Sequence, residues 1–426
     1  MTRCDERSPL LMPSIQTIHN ARLPNRTGLF RLEMDAQGTL QSIVQTNDEF
    51  HSPSPISTSS ESELDVQGDW ISLGGVDLQI NGALGLAFPD LDEDHTEKLV
   101  KICQFLWHQG IDGFLPTLVT TSVDHIHRAL SVIATVQQRI ETTRPSETAK
   151  ILGVHLEGPC LNPEKRGAHP QEHLQPLTIE TIQTIVGNHG SVVKVITLAP
   201  ELDATGDVIP YVRSLGITVS LGHSQATADE AKAAFQQGAT MITHAFNAMP
   251  SLHHRKPGLL GAALTHPGIS CGLIADGQHV CPTMLDMLMR INRGKPSFAH
   301  HGSFSENPVS EKPGLYEDGI FLVSDALSPL GLPDGTYPWD TREIHVEGGT
   351  ARLDDGTLAG TTHPLLVGAH NLVRWGICEP DEAIALATIA PRHAIGLSSI
   401  EPGHPVHLLR WSYEEKGRSL TWQRIG

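Results

Sequence analysis

The chain has 426 residues, 30 of them basic and 48 acidic, for a net charge of −18. With 39% hydrophobic and 18% charged residues it has the make-up of a globular enzyme rather than a disordered chain. The charge argues against nucleic acid as a partner, because that binding needs lysine and arginine to displace phosphate counterions. An anionic ligand would therefore need a local cation or a helix N-terminus. No stretch approaches the ~20 apolar residues of a membrane span, and residues 1–20 lack the apolar core of a secretory signal. The six cysteines (Cys4, Cys103, Cys160, Cys271, Cys281 and Cys378) show no Cys-x-x-Cys spacing. Reduced thiols in a cytoplasmic protein are expected, rather than disulfides or a zinc ribbon.

In chain order, short apolar alternations at 28–34 and 40–44 read as strands of a small β unit. The Ser- and Pro-rich run 46–63 reads as an exposed loop. Strand and helix then alternate. Strand-like runs fall at 71–80, 113–118, 151–156, 192–198, 217–221, 240–244, 269–275 and 320–324. Helical periodicity covers 95–108, 123–140, 179–186, 208–214, 228–237 and 282–291, and Thr227 with Glu230 forms a capping box before the fifth. A stretch before the last strand, 295–318, reads as a surface loop. The tail alternates again at 406–411 and 419–422. Eight strands alternating with helices over ~250 residues predict a closed parallel barrel. The alternative, an open doubly wound sheet, lacks a Gly-x-Gly-x-x-Gly turn. The expected architecture is an α/β protein: a TIM-like (β/α)8 metal-dependent hydrolase barrel over 71–396. A small β-sandwich domain is built from both termini, 1–70 and 397–426.

Polar residues gather where the strands end: Asp77, Gln79 and Asn81; Thr117 and Thr120; His155 and Glu157; Glu201; His223; His244 and Asn247; Asp276 and His279; Asp325. A parallel barrel opens all these ends on one face, where its active site lies. Among them Glu157, His223 and His244 suit one Zn²⁺ with a position left for water, whose pKa the metal lowers. Asp325 could carry the proton. Each residue also has a structural reading: satisfied histidines, a turn cap at Asp325, or an ion pair from Glu157 to Lys165 or Arg166.

At these positions the chain resembles the N-acetylglucosamine-6-phosphate deacetylases of the amidohydrolase superfamily. The resemblance rests on Gly75-Val-Asp-Leu-Gln-Ile-Asn-Gly82, Phe114-Leu-Pro-Thr-Leu118, Gly153-Val-His-Leu-Glu-Gly-Pro159 and Arg166-Gly-Ala-His-Pro170. It continues through Leu221-Gly-His-Ser224, Thr243-His-Ala-Phe-Asn-Ala-Met249, Arg255-Lys-Pro-Gly-Leu-Leu-Gly261 and Ile274-Ala-Asp-Gly-Gln-His279. Ser324-Asp-Ala326 and Gly356-Thr-Leu-Ala-Gly360 complete it. It implies Glu157, His223 and His244 as metal ligands, Asp325 as general acid/base and His169 as the group that polarises the amide carbonyl. It further implies His279 on the sugar, Asn247 and Ala248 on the phosphate, and Arg255 reaching the phosphate from the other subunit of a homodimer. Gln79 and Asn81 stand where many amidohydrolases carry a His-x-His for a second metal. One divalent ion per subunit is therefore expected, Zn²⁺ first and Fe²⁺ as the alternative. The implied reaction is hydrolysis of N-acetylglucosamine 6-phosphate in amino-sugar metabolism. The alternatives are the galacto epimer, another amide, or a sugar-phosphate sensor without catalysis.

Overall fold

The apolar run 71–80 breaks at Gly74, and the break divides two sheets. Its first half, Trp70–Leu73, pairs antiparallel with Leu408–Glu414, which pairs with Ser419–Ile425. Its second half, Gly75–Ile80, is the first barrel strand. One continuous strand was expected here. Gly74 interrupts it because its N–H donates to the Asp112 carboxylate (2.8 Å) and its carbonyl accepts from Arg392 (2.7 Å), where a side chain would strike Asp112. The computed structural model describes residues 15–46, 62–294 and 319–425. Most of the loop expected at 46–63, and the stretch 295–318, lie outside the described residues.

The strands Thr17–Ala21, Leu29–Met34, Leu40–Thr46 and Glu63–Asp65 form a second small sheet. Ile18, Leu32 and Leu40 of this sheet share a core with Ile71 and Leu408 of the other. Residues near both ends of the chain thus build a two-layer β unit, each sheet burying one face of its alternating pattern.

The barrel strands follow in order: Gly75–Ile80, Ile111–Val119, Val154–Glu157, Val193–Leu198, Thr218–Leu221, Met241–Ile242, Ser270–Leu273 and Ile320–Leu322. Every neighbouring pair in this series is parallel. The third is preceded by a separate piece, Lys150–Ile151, because Gly153 takes φ +131°. A Cβ on Gly153 would lie 2.8 Å from Lys194 Cβ. The helices Thr96–His108, Val123–Thr143, Ile179–Val186, Val208–Ser214, Ala228–Gln236 and Pro282–Gly294 occupy the periodic segments. The capping box is made in full, with Thr227 Oγ1 accepting from the Glu230 N–H and Glu230 Oε2 accepting from the Thr227 N–H.

Unforeseen elements lie between the sixth and seventh strands and after the eighth. Helices Gly258–Thr265, Leu365–Arg374, Pro380–Thr388 and Ala390–Ala394 were not expected. Nor was an antiparallel sheet of Gly335–Trp339, Arg342–Glu347, Thr350–Leu353 and Leu358–Thr361, inserted after the eighth strand. Its signal was present: Ile344 and Val346 alternate with exposed residues, and Gly348-Gly349 supplies a two-residue turn at positive φ. It has its own core, Leu327, Trp339, Ile344, Val346, Ala351 and Leu353, which reaches Ala168 of the loop after the third strand. Among the described residues no helix is long and apolar enough to cross a membrane.

Asp112 locks the barrel floor to the terminal β unit. Its carboxylate accepts from Arg392 and from Arg424, each at 3.0 Å, while Arg424 also donates to the Trp107 and Ile111 carbonyls. Both arginines are mostly buried, so removing their shared anion leaves charge without a partner. Asp112→Ala is expected to cost about 3 kcal/mol of stability in a denaturant titration. A loss within the ~0.5 kcal/mol of an ordinary surface change would show that the cluster does not hold the units together.

Candidate functional site

Glu157 ends the third strand, and His223 and His244 follow the fifth and sixth. Their ligand-capable atoms lie within 4.8 Å of one another, all buried. His223 Nε2 is 3.1 Å and His244 Nε2 3.0 Å from Glu157 Oε1, and the two imidazole nitrogens are 2.9 Å apart. The His223 tautomer follows from its other nitrogen. Nδ1 lies 2.8 Å from the Lys165 carbonyl, which can only accept, so Nδ1 carries the proton. In the neutral ring the Nε2 lone pair then faces a carboxylate oxygen and a second imidazole. Lone pairs crowded in this way repel one another unless a cation lies among them, so the donor set fits a divalent metal. Among the described residues, His244 Nδ1 and Asn81 Oδ1 are buried without partners.

Asp325, after the eighth strand, faces this cluster. Its Oδ1 accepts from Asn81 Nδ2 at 2.8 Å and from Gln79 Nε2 at 3.2 Å, and Gln79 Nε2 also lies 3.0 Å from Glu157 Oε1. The two amides therefore orient carboxylates. Burial, reinforced by the Glu157 carboxylate, pushes the Asp325 pKa up to about 6. Glu157 is held well below the usual carboxylate range, because its imidazole neighbours outweigh the opposing effect of burial. Three residues here pay in backbone strain. His223, His244 and Asp325 have φ of 49°, 27° and 48°, a region that costs a non-glycine residue roughly 1–2 kcal/mol.

His169 sits in the loop after the third strand. The Thr120 N–H donates to its Nδ1 (3.3 Å), as does the Thr120 hydroxyl (2.8 Å), which puts the ring proton on Nε2. Burial, aided by His223, lowers its pKa to about 3, so it is a neutral donor. Arg166 and Arg342 tie its loop down through the carbonyls of His169 and Ala168, at 2.8 and 2.7 Å.

A cavity of about 550 Å³ opens over these groups. Asn81, Glu157, His169, His223, His244, Asn247, Ala248, His279 and Asp325 all line it. Gln79 lies behind that wall. Arg255 stands apart: it is exposed on the segment after the sixth strand, and its guanidinium makes no ion pair among the described residues. His279 Nδ1 is 2.7 Å from Asp276 Oδ2, which fixes its ring. The inserted sheet forms part of the wall through Leu358, which lies in the Gly356–Gly360 motif, and through Trp339, Asp340 and Thr341, which the sequence reading passed over. The described lining includes the carboxylates of Asp90, Glu157, Glu172, Asp325 and Asp340 and no lysine or arginine.

No protein-family model matches the chain. N-acetylglucosamine-6-phosphate deacetylase of Bos taurus is 34% identical over 340 residues, covering 78% of this chain and 76% of its own. N-acetylgalactosamine-6-phosphate deacetylase of Escherichia coli O157:H7 is 32% identical over 316 residues, with 74% and 75% covered. The crystal structure of N-acetylglucosamine-6-phosphate deacetylase from Pasteurella multocida superposes with TM-score 0.74 at 27% identity, covering 96% of this chain and 99% of its own.

Glu201 clamps two of the loops that make the site. It accepts from Asn162 (2.9 Å), from the Ser224 hydroxyl (2.7 Å) and from the Gln225 N–H (2.5 Å), fixing the turn that carries His223. Glu201→Ala is expected to weaken divalent-metal retention about tenfold in a chelator competition, with the fold intact by circular dichroism. Unchanged retention would show that His223 is set without this clamp.

Proposed function

Since the chain belongs to the N-acetylglucosamine-6-phosphate deacetylases of the amidohydrolase superfamily, we propose that its cavity binds N-acetyl-D-glucosamine 6-phosphate and that its side chains hydrolyse the acetamide. The products are D-glucosamine 6-phosphate and acetate. The observation that carries this reading is the cluster of Glu157, His223 and His244 beside a carboxylate, Asp325, that is buried yet ionisable near neutral pH.

Glu157, His223 and His244 would hold one divalent ion per subunit. Two imidazoles and a carboxylate suit zinc, with ferrous iron as the alternative. When bound, such an ion supplies a lowered water pKa and an electrophile for the carbonyl. Asp325, oriented by Asn81 and Gln79, takes the proton of the attacking water and returns it to the leaving amine. A pKa of about 6 suits both duties. His169 donates from Nε2 to the amide oxygen as negative charge develops there. Gln79 and Asn81 are engaged as hydrogen-bond donors, which supports a single ion.

The phosphate sets a second requirement. A dianion in a cavity whose described wall carries carboxylates but no lysine or arginine needs a cation from outside that wall. Arg255, exposed and without an ion pair among the described residues, supplies it from the second subunit of a homodimer, with Asn247 and Ala248 beside the phosphate and His279 on the sugar. A guanidinium suits phosphate because it can donate two parallel hydrogen bonds. Free thiols at Cys103, Cys160 and Cys378 support a reducing, cytoplasmic setting. The galacto epimer is the second reading, favoured by the Escherichia coli relative.

Asp325→Asn is expected to lower kcat by about 10²–10⁴ while metal and substrate still bind. Wild-type turnover in that variant would remove Asp325 from the mechanism. Arg255→Ala is expected to raise KM for the phosphorylated sugar. Mixing and reassociating the two poorly active variants should then recover activity, since each mixed dimer has one site with Asp325 from one chain and Arg255 from the other. No recovery would return Arg255 to its own subunit or to the surface.

A further inference from the structure

Strands one and eight are the two ends of the barrel sheet, and no continuous ladder joins them. They meet instead through a short seam at the level of the candidate site. The Asp325 N–H donates to the Gln79 carbonyl at 2.9 Å and the Asn81 N–H to the Ala326 carbonyl at 2.7 Å. The Ser324 hydroxyl also reaches the Gln79 carbonyl, at 3.3 Å. The Ser324 N–H has no main-chain partner in this seam. It donates at 3.1 Å to Asp77 Oδ1, and the same oxygen accepts the Gln79 N–H at 3.3 Å. One carboxylate oxygen thus takes the place of a ladder carbonyl and ties together the residues immediately before Asp325 and at Gln79.

Asp77 is 2% exposed and, among the described residues, has no lysine or arginine partner. A buried carboxyl without a cation is costly, and burial pushes its pKa up to about 7. An apolar residue would pack there more cheaply if the position served the core alone. What Asp77 provides is an acceptor at the one point where the seam lacks one. On the far side of the same segment, Thr361 accepts nothing from Ser324 but donates its hydroxyl to the Ser324 carbonyl at 2.8 Å. Ser324 is therefore held from both sides, just before Asp325 enters its left-handed conformation.

We propose that Asp77 is a positioning residue for the hydrolysis: through the backbone N–H groups of Ser324 and Gln79 it sets the register in which Asp325 meets the substrate. The proposal rests on the reading of Asp325 as the proton carrier. Asp77 is absent from the described cavity lining, and its described hydrogen bonds run to the backbone of Gln79 and Ser324, so its effect travels through the seam.

The test measures kcat, KM, metal content and melting temperature for Asp77→Ala, Asp77→Asn, Asp325→Asn and Asp77→Ala combined with Asp325→Asn. Asp77→Ala is expected to lower kcat about a hundredfold per metal-loaded chain, with KM little changed, since a small misplacement of a reacting group has that order of effect. Asp77→Asn keeps an acceptor oxygen and should recover most of the rate. The double variant should be no slower than Asp325→Asn alone, because residues acting as one unit are not additive. If Asp77→Ala does not fold, Asp77→Ser serves in its place, its hydroxyl being too short to reach the Ser324 N–H. A lower melting temperature with unchanged kcat would overturn the proposal, as would a further loss of rate in the double variant. Full activity of Asp325→Asn would instead overturn the reading of Asp325 on which it stands.

Discussion

The site depends on one electrostatic constraint: three lone-pair-bearing atoms, from Glu157, His223 and His244, are pressed together in a buried cavity. The Lys165 carbonyl fixes the His223 proton on the outer nitrogen, so hydrogen bonding within the cluster cannot relieve all of the crowding. Much of the surrounding structure maintains this arrangement. Glu201 pins the His223 turn, Gln79 steadies Glu157, and the backbone at His223 and His244 stays in a strained region. Strain of this kind persists only where neighbouring contacts over-determine it.

The same cavity separates its carboxylates by role. Glu157 is kept ionised by its imidazoles, whereas Asp325, without a cationic partner in its hydrogen bonds, keeps a pKa near the working pH. Pairs of titratable groups driven apart in this way mark acid and base assignments. His169 adds a neutral donor whose proton is directed by the Thr120 N–H. The described wall of the cavity carries carboxylates and no lysine or arginine, so the proposed phosphate would need a cation from outside it, the part proposed for Arg255 of a second subunit.

The barrel was legible in the sequence because each of its strands is a short apolar run and each strand end carries a polar residue. The helices flanking these strands showed 3.6-residue periodicity, and their boundaries agree to within a few residues. Three features escaped for identifiable reasons. Gly74 looked like part of an apolar run because its role is to vacate space for Asp112. The inserted sheet carried an alternating pattern and a Gly-Gly turn, but it fell where an eighth helix was due. The hydrogen bonds of Asp77 and Thr120 depend on contacts between distant strands and loops, to which no local pattern points. The strand-end pattern picked out Asp77, Gln79, Asn81, Thr120 and Glu201 by position, but that they orient the candidate site residues follows only from their hydrogen bonds.

The central claim is most directly tested by acetate release from N-acetylglucosamine 6-phosphate by purified, metal-assayed protein, with the unphosphorylated sugar and the galacto epimer measured alongside. The account predicts release that requires the 6-phosphate, with about one metal per chain. Metal bound at Glu157, His223 and His244 with no acetate from any of the three would contradict it.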